Sequence, residues 1–172
     1  MWLQFLCAGA IMDFGLWYMH WLSHKKQFLW KLHALHHSPE RLYWLNGERR
    51  HPLSALLMAG PGILCVTLMG APANVIGASM GLTAIHLAFQ HANLDNSLGI
   101  FKHLFGVAEI HGWYHKHGFG RKNLSEFLMI WDHLFGTYHY EPQPVNTGQV
   151  GLRTTMPKTY LKQLFGHFQA KN

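Results

Sequence analysis

Apolar positions crowd into three stretches of this chain and thin out between them. Residues 1 to 19, MWLQFLCAGAIMDFGLWYM, form an apolar run in which Asp13 is the one charged side chain, and no Lys, Arg, Asp or Glu occurs from Leu53 to Ala92. A helix of about 20 apolar residues crosses the roughly 30 Å hydrocarbon core of a bilayer. The pattern therefore predicts transmembrane helices over about 1-22, 53-70 and 74-92, the last two joined by a turn at GAPAN, residues 70 to 74. Pro61 and the glycines of the hairpin predict kinks or close helix packing rather than breaks. Between and after these stretches the chain is polar and basic. Ser38-Pro39 should end the helix through HALHH, because the residue before a proline avoids the helical region. LSEFLMIWDHLFGTYHYE, residues 124 to 141, is an amphipathic stretch, and its plainer reading is a helix at the membrane interface.

The expected fold is thus an all-α integral-membrane helical bundle of about three transmembrane helices. A cytosolic helical cap, about 23-52 and 93-172, completes a single domain over 1-172. Composition agrees: 49% of residues are hydrophobic and 13% are charged, against about 25% charged in an average globular protein. The net charge of +6 comes from basic residues that all lie in 25 to 50 or from Lys102 onward. Such residues mark the cytoplasmic side of a membrane protein, here a bacterial inner membrane or an ER-type membrane. They form no stripe and do not alternate with aromatics, so no nucleic-acid partner is expected. Cys7 and Cys65 sit in apolar stretches and predict neither a disulfide framework nor a thiolate site.

Histidine changes the picture more than charge does. HWLSHKKQFLWKLHALHH, residues 20 to 37, holds His20 and His24 four apart, then His33, His36 and His37. HGWYHKH puts His111 and His115 four apart, with Tyr114 where the earlier pattern has a third imidazole. Residues three or four apart share a helix face, so each cluster can aim several imidazoles at one point. Imidazole suits iron, zinc, copper and nickel, and one tetrahedral ion takes four ligands. The clusters offer seven, and His91 adds an eighth, which fits two metals sharing a site. His86, five residues from His91, points about 140° away on a regular helix and stands at lower odds. His51, before a proline, is left out of the metal list; His103, His133, His139 and His167 lack paired spacing. Asp13 shares a helical stripe with His20 and His24, so it either orients a ligand imidazole or partners a Trp or Tyr on a neighbouring helix. Asp132 has the same two readings, imidazole partner or ordinary amphipathic-helix residue.

These residues together resemble the sterol desaturase and fatty acid hydroxylase superfamily. The matching features are D-x6-H-x3-H from Asp13 to His24, H-x2-HH from His33 to His37, RRHPL at 49 to 53, QHAN at 90 to 93, EIHGWYH at 109 to 115 and WDHLFGTY at 131 to 138. They cover nearly the whole chain in family order. The resemblance implies an integral-membrane oxygenase with two iron ions held by histidine at the cytosolic face. It would hydroxylate or desaturate a membrane lipid with dioxygen as co-substrate, fed by a separate electron-donor protein such as a cytochrome, ferredoxin or reductase. Carried over by position, the metal ligands are His20, His24, His33, His36, His37, His91, His111 and His115. The family's third box is usually H-x2-HH, and Tyr114 departs from it; a tyrosine ligates iron in catalase, and His117 is a substitute after a local shift. The rival readings are a non-catalytic metal-binding or scaffold homologue impaired at Tyr114, and a membrane haem protein, which needs far fewer axial histidines.

Overall fold

The computed structural model describes residues 2–94, 97–154 and 156–166; His167 lies outside the described residues. The chain begins with α1, Trp2–Lys25, and α2, Gln27–His33. Lys26, extended at φ −106°, ψ 118°, divides them. A 3-10 turn, Trp44–Glu48, precedes α3, Pro52–Leu68. The start of α3 follows from His51-Pro52. Proline at the first helical position gives up a backbone donor that the helix would not use, and His51 Nδ1 accepts from the Leu53 backbone N–H at 3.2 Å. Gly70, at φ +80°, turns the chain into α4, Ala73–His91. The remaining helices are short: α5, Ala108–His115, α6, Ile130–Leu134, and α7, Tyr160–Gly166. Among the described residues, β pairing is confined to two isolated bridges, Phe105 with Leu128 and Lys116 with Val150.

α1 is the central element, packed on α2, α3 and α4, while α4 packs in turn on α5 and on the 3-10 turn at 44–48. The α1–α3 crossing depends on two glycines. A Cβ at Gly15 would lie 2.9 Å from Gly62 Cα, and one at Gly62 would lie 2.9 Å from Met12 Cα. Removing both side chains lets the backbones touch, and Ala8, Met12, Val66 and Val75 close the core on one side of that contact.

The helices appear close to where the pattern places them, but they lack the length and apolarity expected of them. None of the described helices is long and apolar enough to cross a membrane, which corrects the expected integral-membrane bundle of about three transmembrane helices. α3 has 17 residues, about 26 Å at 1.5 Å per residue, short of the roughly 30 Å hydrocarbon core. α1 and α4 are longer but carry Gln4, Asp13, His20, Ser23 and His24, and Asn74, Ser79, Thr83, His86, Gln90 and His91. A stretch without formal charge is not thereby apolar. The two histidine segments meet through direct packing of α1, α4 and α5, and need no shared membrane face to do so.

The amphipathic stretch over residues 124 to 141 is mostly loop, helical for five residues in α6, rather than one interfacial helix. Two buried carboxylates take over the job of organising it. Asp13 accepts from the backbone N–H groups of Phe127 at 3.1 Å and Leu128 at 3.0 Å and from Trp131 Nε1 at 2.9 Å. Asp132 accepts from Leu124 N at 2.9 Å, Ser125 N at 2.8 Å and the Thr137 hydroxyl. Loop N–H groups satisfied by carboxylates have no need of a helix ladder.

Candidate metal centre

Eight buried imidazoles gather into two groups of four. His20, His24, His33 and His37 form one; His36, His91, His111 and His115 form the other, and within each group one ligand atom per residue lies within 4.8 Å of every other. These are the eight histidines singled out in the sequence. The partition is not the one that sequence order suggests. His33 is the last residue of α2, and His36 and His37 follow in the turn after it. The neighbours in this turn diverge, His37 joining His33 and the α1 pair, His36 joining His91, His111 and His115. α5 behaves likewise: His111 and His115, one helical turn apart, face the second group, while Tyr114 points into the first. The two groups share a wall, with ring centroids 4.9 Å apart for His37 and His115 and 5.2 Å for His33 and His36.

The ring orientations are fixed from behind. His20 Nδ1 donates to the Leu124 carbonyl at 2.7 Å, and His91 Nδ1 donates to the Leu87 carbonyl at 2.8 Å. A proton committed to Nδ1 leaves the Nε2 lone pair for the centre. Glu126, buried and unremarked in the sequence, places Oε1 3.4 Å from His20 Nδ1 and 3.5 Å from the Arg50 guanidinium. Arg50 itself, part of RRHPL, also donates to the Gly47 carbonyl at 2.8 Å. The only signal for Glu126 in the sequence is a lone carboxylate amid the apolar residues of LSEFL. Gly47 allows the 3-10 turn to press on α4: a Cβ there would lie 2.9 Å from Leu87 O and 3.2 Å from His91 Nδ1.

Burial keeps these imidazoles neutral. It lowers His20 to about 3, with the Arg50 charge adding to the effect, and His91 to about 4. His24, His33, His36, His37, His111 and His115 lie well below their ordinary value, from burial first and then from one another. Neutral imidazole is the form that ligates a metal. Within the second group the Nε2 atoms approach each other at 3.3 Å for His36 and His91, 2.9 Å for His91 and His111, and 3.2 Å for His111 and His115. His33, His36 and His111 have Nδ1 atoms with no hydrogen-bond partner. Four imidazole nitrogens converging at these distances are a donor set for one cation, and the residues present fit one in each group.

Several candidates take other roles. His86 packs against Phe127, at 4.3 Å between ring centroids, and joins neither group. His51 caps α3. His117 lines a cavity beside the first group without joining it. Asp13 has the second of its two expected roles, holding Trp131 and the 127–128 backbone. Asp132 touches no ligand imidazole; it acts one step removed, through Leu124, whose carbonyl receives His20.

Fold and site together define an all-α protein built around two four-imidazole groups of metal-ligating geometry. Comparison with known proteins narrows this class. Residues 5–137 match the fatty acid hydroxylase family model. The chain is 35% identical over 170 residues to the ornithine lipid hydroxylase OlsE of Rhizobium tropici, covering 98% of this chain and 51% of that protein. The chain belongs to the fatty acid hydroxylase family, within the superfamily that its motifs resemble. It spans about half the length of the curated relative. No solved structure matches it.

Proposed function

We propose that this chain is the catalytic core of a non-haem di-iron oxygenase that hydroxylates a C–H bond of a lipid with dioxygen. The observation that carries the reading is the pairing of two four-imidazole groups across one shared wall, in a chain of the fatty acid hydroxylase family. Iron is favoured over zinc because zinc has no redox chemistry, and inserting oxygen into a C–H bond requires a metal that changes oxidation state. When bound, the two ions would supply the reduction of dioxygen and the oxidant for the C–H bond. Hydroxylation is preferred over desaturation because both the matched family and the relative are hydroxylases by name.

The chain's own residues set the conditions for that chemistry. Leu124 and Leu87 carbonyls hold His20 and His91 in the ligating tautomer, and burial keeps all eight rings unprotonated near neutral pH. A cavity of about 530 Å³ reaches His24, His37, Tyr114 and His115, and Lys116, Arg121 and Arg153 also line it. It gives a lipid with a polar or anionic headgroup a route to the wall shared by the two groups. Exposed apolar side chains on the helices, including Leu3 and Leu6 of α1, Leu64 and Leu68 of α3 and Ile85 of α4, suit a surface that works against lipid. Electrons come from a separate donor protein on this reading.

The test is metal analysis of the purified protein together with lipid profiling of cells with and without expression. Two irons per chain and a lipid product carrying one added oxygen atom are expected, both lost in His36→Ala. A single zinc, or unchanged turnover in His36→Ala, would overturn the proposal in favour of a non-catalytic homologue.

A further inference from the structure

Tyr114 occupies the focus of the first imidazole group. Its hydroxyl oxygen lies 2.5 Å from His20 Nε2, 2.6 Å from His33 Nε2 and 3.0 Å from His24 Nε2, and is in contact with His37 Nε2 as well. The ring is fully buried and packed with Trp17 and Leu124, so this position is held by the core.

Hydrogen bonding alone leaves this arrangement unbalanced. A phenol hydroxyl donates one proton and accepts at two lone pairs, which serves three neighbours at most; here it has four. His20 cannot be one of the donors, since its proton is committed to the Leu124 carbonyl. A cation removes the conflict, because four nitrogen lone pairs and one oxygen can all face it at once. The second group differs in kind: its four ligating residues are all imidazoles, whereas the first adds an oxygen donor.

We propose that the Tyr114 hydroxyl oxygen is a fifth ligand to the ion held by His20, His24, His33 and His37, making the two ion sites chemically unequal. The inference rests on the metal-binding reading above. On loading, the phenol O–H bond gives way to an oxygen–iron bond and the proton leaves to water by way of the adjoining cavity, which Tyr114 itself lines. An anionic oxygen donor favours the ferric state over the ferrous one. With iron bound, the Tyr114 oxygen would make the site of His20, His24, His33 and His37 harder to reduce than the all-imidazole site.

The experiment uses the full chain loaded with iron and oxidised in air, compared with Tyr114→Phe and Tyr114→His, and reads metal count, iron affinity and the optical and resonance Raman spectra. The wild-type protein is expected to bind two irons and to show a visible phenolate-to-iron charge-transfer band with enhanced tyrosine ring modes. Tyr114→Phe should lose that band and weaken one of two irons by at least about tenfold, the scale on which even the outer partners of metal ligands act. Tyr114→His should keep two irons without the band. Two irons in the wild type with no such band, or a band that survives Tyr114→Phe, overturns the ligand assignment and leaves the di-iron reading standing. One iron in the wild type and two in Tyr114→His also overturns it, showing the hydroxyl to be a plug. A chain that takes up no iron overturns the proposed function and this inference together.

Discussion

Lowering the pH of the metal-free chain loads protons onto imidazoles that the fold holds neutral. A histidine whose folded pKa lies under about 5, against an ordinary value of about 6.5, loses about 2 kcal/mol of folding stability between about pH 7 and 5. His20 at about 3 and His91 at about 4 both satisfy this. The other six ligand candidates, each pushed well below 6.5 by burial, add to the loss in the same direction. A domain has only about 5–15 kcal/mol in total. The sign is fixed by which state binds more protons. The unfolded chain does, so stability is full above the ordinary imidazole value and falls as pH drops from there toward the folded values. Asp13, raised to about 7 mainly by burial, works in the opposite sense and returns about 2 kcal/mol over the same range, offsetting about one histidine. Circular dichroism and tryptophan fluorescence of the chelator-treated protein, followed downward at fixed ionic strength, should show cooperative unfolding with its midpoint between about pH 5 and 6.5. Bound metal, which competes with protons for the same nitrogens, should move the midpoint lower. A metal-free protein that keeps its native signals down to about pH 4 would refute the claim that these rings are buried and neutral.

Two substitutions probe the scaffold behind the rings. Asp132→Ala strands the buried N–H groups of Leu124 and Ser125, each worth about 1–3 kcal/mol when left unpaired. A drop of about 3 kcal/mol in denaturant unfolding is expected, with Asp132→Asn losing less, and iron affinity should fall about 10–100-fold because Leu124 orients His20; equal stability and affinity in all three proteins would count against that linkage. Gly47→Ala puts a methyl against the Leu87 carbonyl and His91, and overpacking of this kind costs about 1–3 kcal/mol. Titration with iron should show one of two sites weakened, and a variant with two unchanged sites would show that the turn yields instead.

The positions of the long helices and the identity of all eight ligand candidates were legible from residue order, because helical spacing and proline, glycine and charge signals are local. Membrane crossing was not legible in the same way, because freedom from Lys, Arg, Asp and Glu is not apolarity: α1 and α4 carry Asn, Gln, Ser, Thr and His, and no described helix is long and apolar enough to cross a membrane. That residues 124 to 141 are mostly loop is likewise not written locally: Asp13, more than a hundred residues away, supplies the acceptors that a local ladder would otherwise provide.

What the sequence determined by itself is the inventory: which imidazoles exist, which pairs share a helical face, and that Tyr114 interrupts the last of the boxes. Only tertiary structure decided the partition. His36 and His37 are adjacent in the chain and belong to different groups, and Tyr114 sends its hydroxyl into the first group while His111 and His115 of the same short helix belong to the second. Each ring goes where its backbone direction and its contacts with distant segments send it, and neither is encoded in spacing along the chain.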